Sequence, residues 1–117
     1  MRKVGQEAES IAASYLSRLG YKILEKNISY KFGELDIIAS DENILVFVEV
    51  KHRKNNNFGD PFEAVTKSKQ HKIILAAQAY LQKYKNIPTC RFDVISLVGD
   101  LRSPLIEHIC DAFGIEY

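Results

Sequence analysis

The chain has 117 residues, 46% of them hydrophobic and 26% charged, with a formal net charge of +1. This length predicts a single domain over residues 1–117 that can bury a core without disulfides or a structural metal. The small net charge excludes a protein that attracts polyanions through its global charge. A nucleic-acid partner would therefore need a local basic surface.

The two cysteines and the N-terminus bear on the compartment. Cys90 and Cys110 lie far apart and form no CxxC pair, which indicates reduced, partly buried thiols in a cytoplasmic protein. The N-terminal stretch MRKVGQEAES has no apolar segment, so no signal peptide is expected. No apolar run approaches ~20 residues, which argues against a membrane span.

The first half of the chain predicts one helix and three strands. Apolar side chains recur at helical spacing from Gly5 to Leu19, and Gly20 ends that helix. The three strand segments are YKILEKNISY, ELDIIA and NILVFVEVK (residues 21–30, 34–39 and 43–51). SDEN joins the last two, which predicts a β-hairpin.

The second half predicts a polar loop, a long helix, a strand and a tail. HRKNNNFG is the loop, and a helix opens at Asp60 with an aspartate version of the capping box and ends before Pro88. RFDVISLV predicts a further strand, whereas residues 99–117 hold short apolar pieces without an assignable structure. The order αβββαβ predicts an α/β fold, a mixed β-sheet flanked by helices.

The hairpin predicts a cluster of charged side chains on one face of the sheet. If SDEN is its loop, Asp36 faces Phe47 and Glu34 faces Glu49. Because side chains alternate along a strand, Glu49 and Lys51 lie on the same face as Phe47. Three carboxylates and one lysine are therefore expected to converge on two neighbouring strands.

Such a cluster calls for a counter-charge, since burying charges is costly unless they are paired or bind a metal. Mg²⁺ (or Mn²⁺) prefers oxygen ligands and is often held by one or two carboxylates. A lysine beside it can orient an attacking water or stabilise the charge that develops in phosphodiester cleavage. The alternative is an ordinary Glu49–Lys51 pair at a strand end, with Asp36 and Glu34 as polar residues near a turn. The apolar flank and the hairpin favour the metal site.

The same residues resemble a known superfamily. GELDIIA followed by VFVEVKHR is similar to the PD-(D/E)xK nucleases, which have the restriction-endonuclease-like fold, and the Asp36–Glu49 spacing is similar to that of archaeal Holliday junction resolvases. The chain resembles the bacterial YraN family (UPF0102) more closely, through GQEAESIAASYLSRLGYKILEKN, FGDPFEAV, KQHKIILAAQAYL and RFDVI. These segments cover most of residues 5–97. Leu35 stands where the superfamily's name has proline.

The resemblance implies a role for each residue of the cluster. Asp36 and Glu49 would hold Mg²⁺ together with the Val50 carbonyl. Lys51 would be the catalytic lysine, and Glu9 would be a first-helix acid at the same site. On the helical wheel alone, Glu9 is equally compatible with a solvated helix glutamate.

Other polar residues are further candidates. Glu34 could be a ligand, a neighbour of the ligands or a turn residue. The preferred nucleic-acid contacts are Arg53, Lys54, Lys69 and Gln70, the last two because they match family positions. A solvated helix face is the alternative for any single lysine.

The remaining histidines and tyrosines predict no second site. His52, His71 and His108 lack the spacing of zinc ligands. Tyr80 and Tyr84 are predicted to be core residues rather than platforms for base stacking.

Two functions are consistent with these patterns. The first is a Mg²⁺-dependent nuclease that cleaves phosphodiester bonds in DNA, including branched or single-stranded forms. The second is a non-catalytic module with a retained nuclease fold that binds nucleic acid or a partner protein. The complete residue set favours the first, whereas the near-neutral charge and the short chain keep the second open. A homodimer formed through residues 99–117 would let so small a domain span a junction.

Overall fold

The computed structural model describes residues 4–55 and 65–114 and has one five-stranded sheet between two helices. The elements in chain order are α1 (Val4–Arg18), β1 (Lys22–Tyr30), β2 (Gly33–Asp41), β3 (Ile44–Arg53), α2 (Lys67–Leu81), β4 (Thr89–Val98) and β5 (Leu105–Phe113). The strands lie in chain order and pair antiparallel except for the parallel pair β3–β4. The predicted α/β fold is confirmed, and it is compatible with a restriction-endonuclease-like core.

The helices cover opposite faces of the sheet and create two apolar cores. Along β3, Val46 and Val48 pack in the core beneath α1, while Leu45 and Phe47 pack in the core beneath α2. A strand buried on both faces has no polar side, which explains the unbroken run LVFV. Each buried side chain of this kind stabilises the fold by about 1.5–3 kcal/mol. Neither helix in the described ranges is long and apolar enough to cross a membrane.

Helix α2 begins later than the sequence predicts. Thr66 is extended, with φ −66° and ψ 162°, and its hydroxyl accepts a hydrogen bond from the Lys69 amide at 3.2 Å. An extended N-cap residue interrupts any helix that precedes it. The prediction that one helix runs on from Asp60 is therefore wrong, and the predicted capping box itself lies outside the described residues.

The β2–β3 hairpin has a shorter loop than predicted. Ser40 and Asp41 belong to the ladder, and Asp41 pairs with Ile44. The loop is therefore the pair Glu42–Asn43, with Glu42 at φ 57°. The Ser40 hydroxyl donates to the Glu42 carbonyl at 2.9 Å and supports this tight turn.

This shorter loop shifts the register by two residues. The last pair of the ladder is Ile37 with Val48. Asp36 therefore comes to face Glu49, and the predicted pairings of Asp36 with Phe47 and of Glu34 with Glu49 are wrong. Because a shift of two preserves the alternation of side chains, the expectation that Asp36 and Glu49 share a side of the sheet is unaffected.

Within residues 99–117, for which the sequence predicts no structure, Leu105–Phe113 forms the edge strand β5. Phe113 pairs with Phe92, and their rings stack with centroids 5.1 Å apart. The ladder is then interrupted by a bulge at Asp111, which has φ 53°. The opposite edge strand, β1, is also irregular, with a register shift at Leu24 and a φ of 57° at Asn27.

Gly33, the first residue of β2, provides a stability test of how α2 is seated. A Cβ at this position would lie 2.8 Å from the Lys72 carbonyl oxygen of α2, closer than real Cβ atoms approach. We expect Gly33→Ala to lower the free energy of unfolding by about 1–3 kcal/mol, measured by urea denaturation. Gly5→Ala is the control, since a Cβ there would meet no atom within 4 Å in the described parts of the chain beyond its own neighbours and helix backbone. Equal stability of the two variants would contradict this packing.

Candidate active site

The site is built around Asp36, at the point where β2 and β3 separate. The Asp36 Oδ2 accepts a hydrogen bond from the Val50 amide at 2.9 Å. A side-chain carboxylate thus takes the place of a β2 backbone carbonyl just beyond the last ladder pair. The bond holds Asp36 in the interior, where it is only 8% exposed.

Glu49 is the second buried acid. It faces Asp36 across the gap between β2 and β3 that begins beyond the last ladder pair, Ile37 with Val48. It is 6% exposed, and its Oε2 has no hydrogen-bond partner in the described parts of the chain. Burial raises the pKa of Glu49 to about 9, assisted by the contact with Asp36, while Lys69 and Lys51 act in the opposite direction. Glu49 therefore carries a proton at neutral pH when the site holds no metal ion.

Lys69 enters the site from the first turn of α2. Its ammonium lies 3.8 Å from the Glu49 Oε2, and its side chain is 41% exposed. At this distance there is no hydrogen bond, so the Glu49 Oε2 stays without a hydrogen-bond partner among the described residues. The sequence predicted Lys69 as a phosphate contact, and the structure places it directly beside the buried acids.

Glu9 reaches the same acids from α1, on the other face of the sheet. It is half-buried, and its Oε1 is buried without a hydrogen-bond partner among the described residues. Burial, then the charges of Asp36 and Glu34, raise the pKa of Glu9, while a hydrogen bond with Asn27 lowers it. The gap at Asp36 is thus approached from both faces.

The other predicted site residues lie around this gap. Lys51 is half-buried on β3, and Glu34 is exposed on β2, paired with Ser29. Val50 pairs with Ile95 of β4 as well as donating to Asp36. The roles predicted for these residues remain predictions.

The predicted nucleic-acid contacts differ in accessibility. Arg53 ends β3 and is half-buried, and Lys54 follows it and is exposed. Gln70 is buried, and its side-chain amide donates to the Val65 carbonyl at 3.0 Å. Gln70 therefore supports the segment before α2, and its amide group is not offered to solvent.

The donor set suits a hard divalent cation. Glu49 Oε2 and Glu9 Oε1 are buried oxygens without hydrogen-bond partners in the described residues. Carboxylate oxygens are the ligands that Mg²⁺ and Mn²⁺ take. A cation would also favour the ionised form of Glu49, against the burial and the contact with Asp36 that raise its pKa.

The sequence missed a second polar cluster, on the α1 face of β4 and β5. Asp93 is fully buried and accepts hydrogen bonds from Arg91 Nε at 2.9 Å, from Arg91 Nη2 at 3.2 Å and from the Asp111 amide at 2.9 Å. His108 Nε2 lies 2.8 Å from Asp93 Oδ2. Burial alone would raise the pKa of Asp93, but the bonds from His108, Arg91 and Asp111 outweigh it and lower that pKa. The signal in the sequence was the Arg-x-Asp spacing of RFD, which places Arg91 and Asp93 on one face.

This cluster also contains potential metal ligands. Asp93, His108 and Cys110 have ligand atoms within 4.8 Å of one another. However, both Asp93 oxygens are already bonded to Arg91, whose guanidinium repels a cation. We interpret the cluster as a structural ion-pair network.

The network fixes α1 on the sheet. The Tyr15 hydroxyl lies 3.3 Å from His108 Nδ1, and Arg91 donates to the Tyr21 hydroxyl. Tyr15 belongs to α1, and Tyr21 follows that helix. Both tyrosines are linked to Asp93, Tyr15 through His108 and Tyr21 through Arg91. The network thereby positions the helix that carries Glu9.

The buried acid pair predicts a specific pH dependence of stability in chelator. Between the ordinary Glu49 pKa of 4.5 and about 9, the unfolded chain has released a proton that the folded chain retains. The free energy of unfolding should therefore fall as pH rises through this range, by at most about 1.4 kcal/mol per pH unit. Glu49→Gln should flatten the fall, whereas Glu7→Gln, at an exposed position of α1, should not. Denaturant titrations across the pH range measure this, and identical slopes in both variants would show that Glu49 ionises normally.

Comparison with known proteins identifies the family. The model described as "Uncharacterised protein family UPF0102" matches residues 8–97. A UPF0102 protein of Geobacter metallireducens is 45% identical over 117 residues, covering 99% of this chain and 96% of that protein. A UPF0102 protein of Geotalea daltonii is 48% identical over 118 residues (99% and 93%), and one of Chlorobium chlorochromatii is 46% identical over 120 residues (97% and 93%). The resemblance to the YraN family is confirmed, and the chain belongs to the UPF0102 family.

Proposed function

We propose that this protein is a magnesium-dependent nuclease that cleaves phosphodiester bonds in DNA. The observation that carries the proposal is the pair of buried carboxylates, Asp36 and Glu49, facing each other where β2 and β3 separate. Lys51 lies two residues further along β3, on the side of Glu49. The restriction-endonuclease-like resemblance supports the same chemistry.

Asp36, Glu49 and the Val50 carbonyl would hold Mg²⁺ or Mn²⁺. When bound, the cation supplies positive charge next to the oxygens of the scissile phosphate. The Val50 amide, by bonding Asp36, holds one oxygen of this carboxylate in place, and the other oxygen would bind the cation. Preorganisation of this kind means that the acids need not rearrange during the reaction.

The lysines contribute the remaining charge. Lys51 would orient the attacking water and stabilise the charge on the phosphate in the transition state. Lys69, 3.8 Å from Glu49, would move to a phosphate oxygen once the acids are occupied, since 41% of its side chain is already exposed. Glu9 adds a third acid from α1.

The nucleic acid would cross the end of β3 and the start of α2. Arg53 and Lys54 follow Lys51 after one intervening residue, His52, and Lys69 lies in the first turn of α2. These cations form the local basic surface that a chain with a net charge of +1 requires. We propose DNA as the partner, including branched or single-stranded forms, and a homodimer as the unit that spans a junction.

The compartment is part of the proposal. Cys90 and Cys110 are both free thiols, and Cys110 is exposed rather than partly buried as predicted. Free thiols are typical of reducing compartments. We therefore propose a cytoplasmic protein.

One observation favours the alternative, a non-catalytic binding module. Without a metal ion, the Lys69 ammonium already lies 3.8 Å from Glu49, and its positive charge acts to lower the pKa of that residue. In such a module the acids would serve only to hold α2 against β3. Incubation with Mg²⁺ or Mn²⁺ and a panel of linear, single-stranded, flapped and four-way DNA separates the two functions.

The activity prediction concerns Lys51. We expect Lys51→Ala to abolish cleavage but to keep the rise in melting temperature on adding Mg²⁺, because the carboxylates that bind the ion remain. Lys85→Ala, an exposed lysine beyond α2, is the control and should cleave normally. Cleavage by Lys51→Ala at the wild-type rate would remove this lysine from the mechanism. Binding of DNA by a wild-type protein that cleaves none of the panel would support the module instead.

The binding prediction concerns Arg53, Lys54 and Lys69. Replacing all three with alanine should weaken DNA binding and reduce the slope of log K against log salt by about 0.9 for each phosphate that is no longer neutralised. The matched control removes three exposed lysines elsewhere, Lys22, Lys26 and Lys85. Fluorescence anisotropy over a salt series measures both slopes. If the control variant shows the larger reduction in slope, the DNA lies on another surface.

A further inference from the structure

Three polar side chains form a row across β3, β4 and β5, immediately beyond the candidate active site. Lys51 pairs with Ser96 in the parallel ladder, and Ser96 pairs with Glu107 in the antiparallel one. Paired residues on neighbouring strands point to the same face, with the strands about 4.8 Å apart. The preceding row contains Glu49 and its β4 partner Val94, so the polar row lies on the face of the buried acids.

Ser96 is the central member of this row and is an unusual residue for its surroundings. It is 0% exposed, and its hydroxyl has no hydrogen-bond partner in the part of the chain that the structure describes. Its neighbours on the same face of β4 are Val94 and Val98, both buried. A buried hydroxyl without a partner costs stability, and most such groups in proteins are paired. An alanine would pack at this position without that cost.

Lys51 and Glu107, the neighbours of Ser96 in the row, can supply a hydrogen-bond donor and an acceptor for its hydroxyl. A serine hydroxyl has one hydrogen to donate and lone pairs that accept. The Lys51 ammonium on one side has only hydrogens to donate, and the Glu107 carboxylate on the other accepts. Lys51 and Glu107 are both half-buried, so these bonds would form in partial shelter from water.

We propose that Ser96 is a positioning residue for Lys51. Its Oγ accepts a hydrogen bond from Lys51 Nζ and donates one to the Glu107 carboxylate when substrate binds, which fixes the ammonium on the β4 side of the Asp36–Glu49 pair. Hydrogen bonds of active sites are often unformed in the free protein and tighten in the complex. The catalytic role of this row rests on the nuclease function proposed above. Its hydrogen bonds can form whether or not the protein cleaves DNA.

The first test separates positioning from structure. Ser96→Ala should lower kcat about tenfold with KM unchanged, and its melting temperature should equal or exceed that of the wild type because an unpaired buried hydroxyl is removed. Ser96→Thr keeps the hydroxyl and should restore most of kcat. Ser29→Ala, at an exposed position of β1, is the control and should change neither quantity. An unchanged kcat in Ser96→Ala would overturn the proposal, whatever the melting temperature of that variant.

The second test does not require turnover. The NMR signals of the Lys51 side-chain Cε and Nζ are assigned by their loss in Lys51→Arg and recorded with Mg²⁺ and a phosphorothioate oligonucleotide. We expect both Ser96→Ala and Glu107→Gln to shift these signals, and Ser29→Ala to leave them in place. If the wild type cleaves nothing, the proposed function fails, and shifted Lys51 signals still support the hydrogen-bonded row. Signals that are identical in the wild type and both variants would overturn it.

Discussion

The hydrogen bond between the Val50 amide and the Asp36 carboxylate is the constraint on which the rest of the site depends. It ends the β2–β3 ladder with a side chain and thereby opens a gap in an otherwise continuous sheet. Glu49 faces this gap from the α2 side and Glu9 from the α1 side. A sheet covered on both faces would normally separate these acids. The gap brings them together, at the cost of burying charges that only a proton, a lysine or a cation can balance.

Much of the fold could be predicted because α1 has a clear helical periodicity and β3 has an unbroken apolar run. The run of apolar residues in β3 fits a strand buried on both faces, and the structure confirms it. The start of α2 was mistaken because local capping chemistry exists at both Asp60 and Thr66, and sequence alone does not rank them. The strand β5 was missed because it is an edge strand that is only partly buried, so its apolar alternation is weak.

The candidate site was predictable in its residues but not in its geometry. The types and spacing of Asp36, Glu49 and Lys51 predicted one cluster, yet the pairing partner of Asp36 depended on a turn whose length the sequence leaves open. The proximity of Lys69 to Glu49 is a tertiary contact between α2 and β3, and no local pattern encodes it. The same is true of the bond between His108 and Asp93, which the unassigned tail concealed.

Both edges of the sheet are irregular, and this has a consequence for behaviour in concentrated solution. On β5 the bulge at Asp111 turns its amide inwards to Asp93, and on β1 the backbone departs from regular geometry at Leu24 and Asn27. A flat edge with regularly spaced backbone groups is a template for adding a strand from another chain, whereas a bulged edge is a poor one. Neither described edge therefore favours open-ended sheet extension. The protein can leave these two strands at the edges of its sheet and still resist edge-to-edge aggregation.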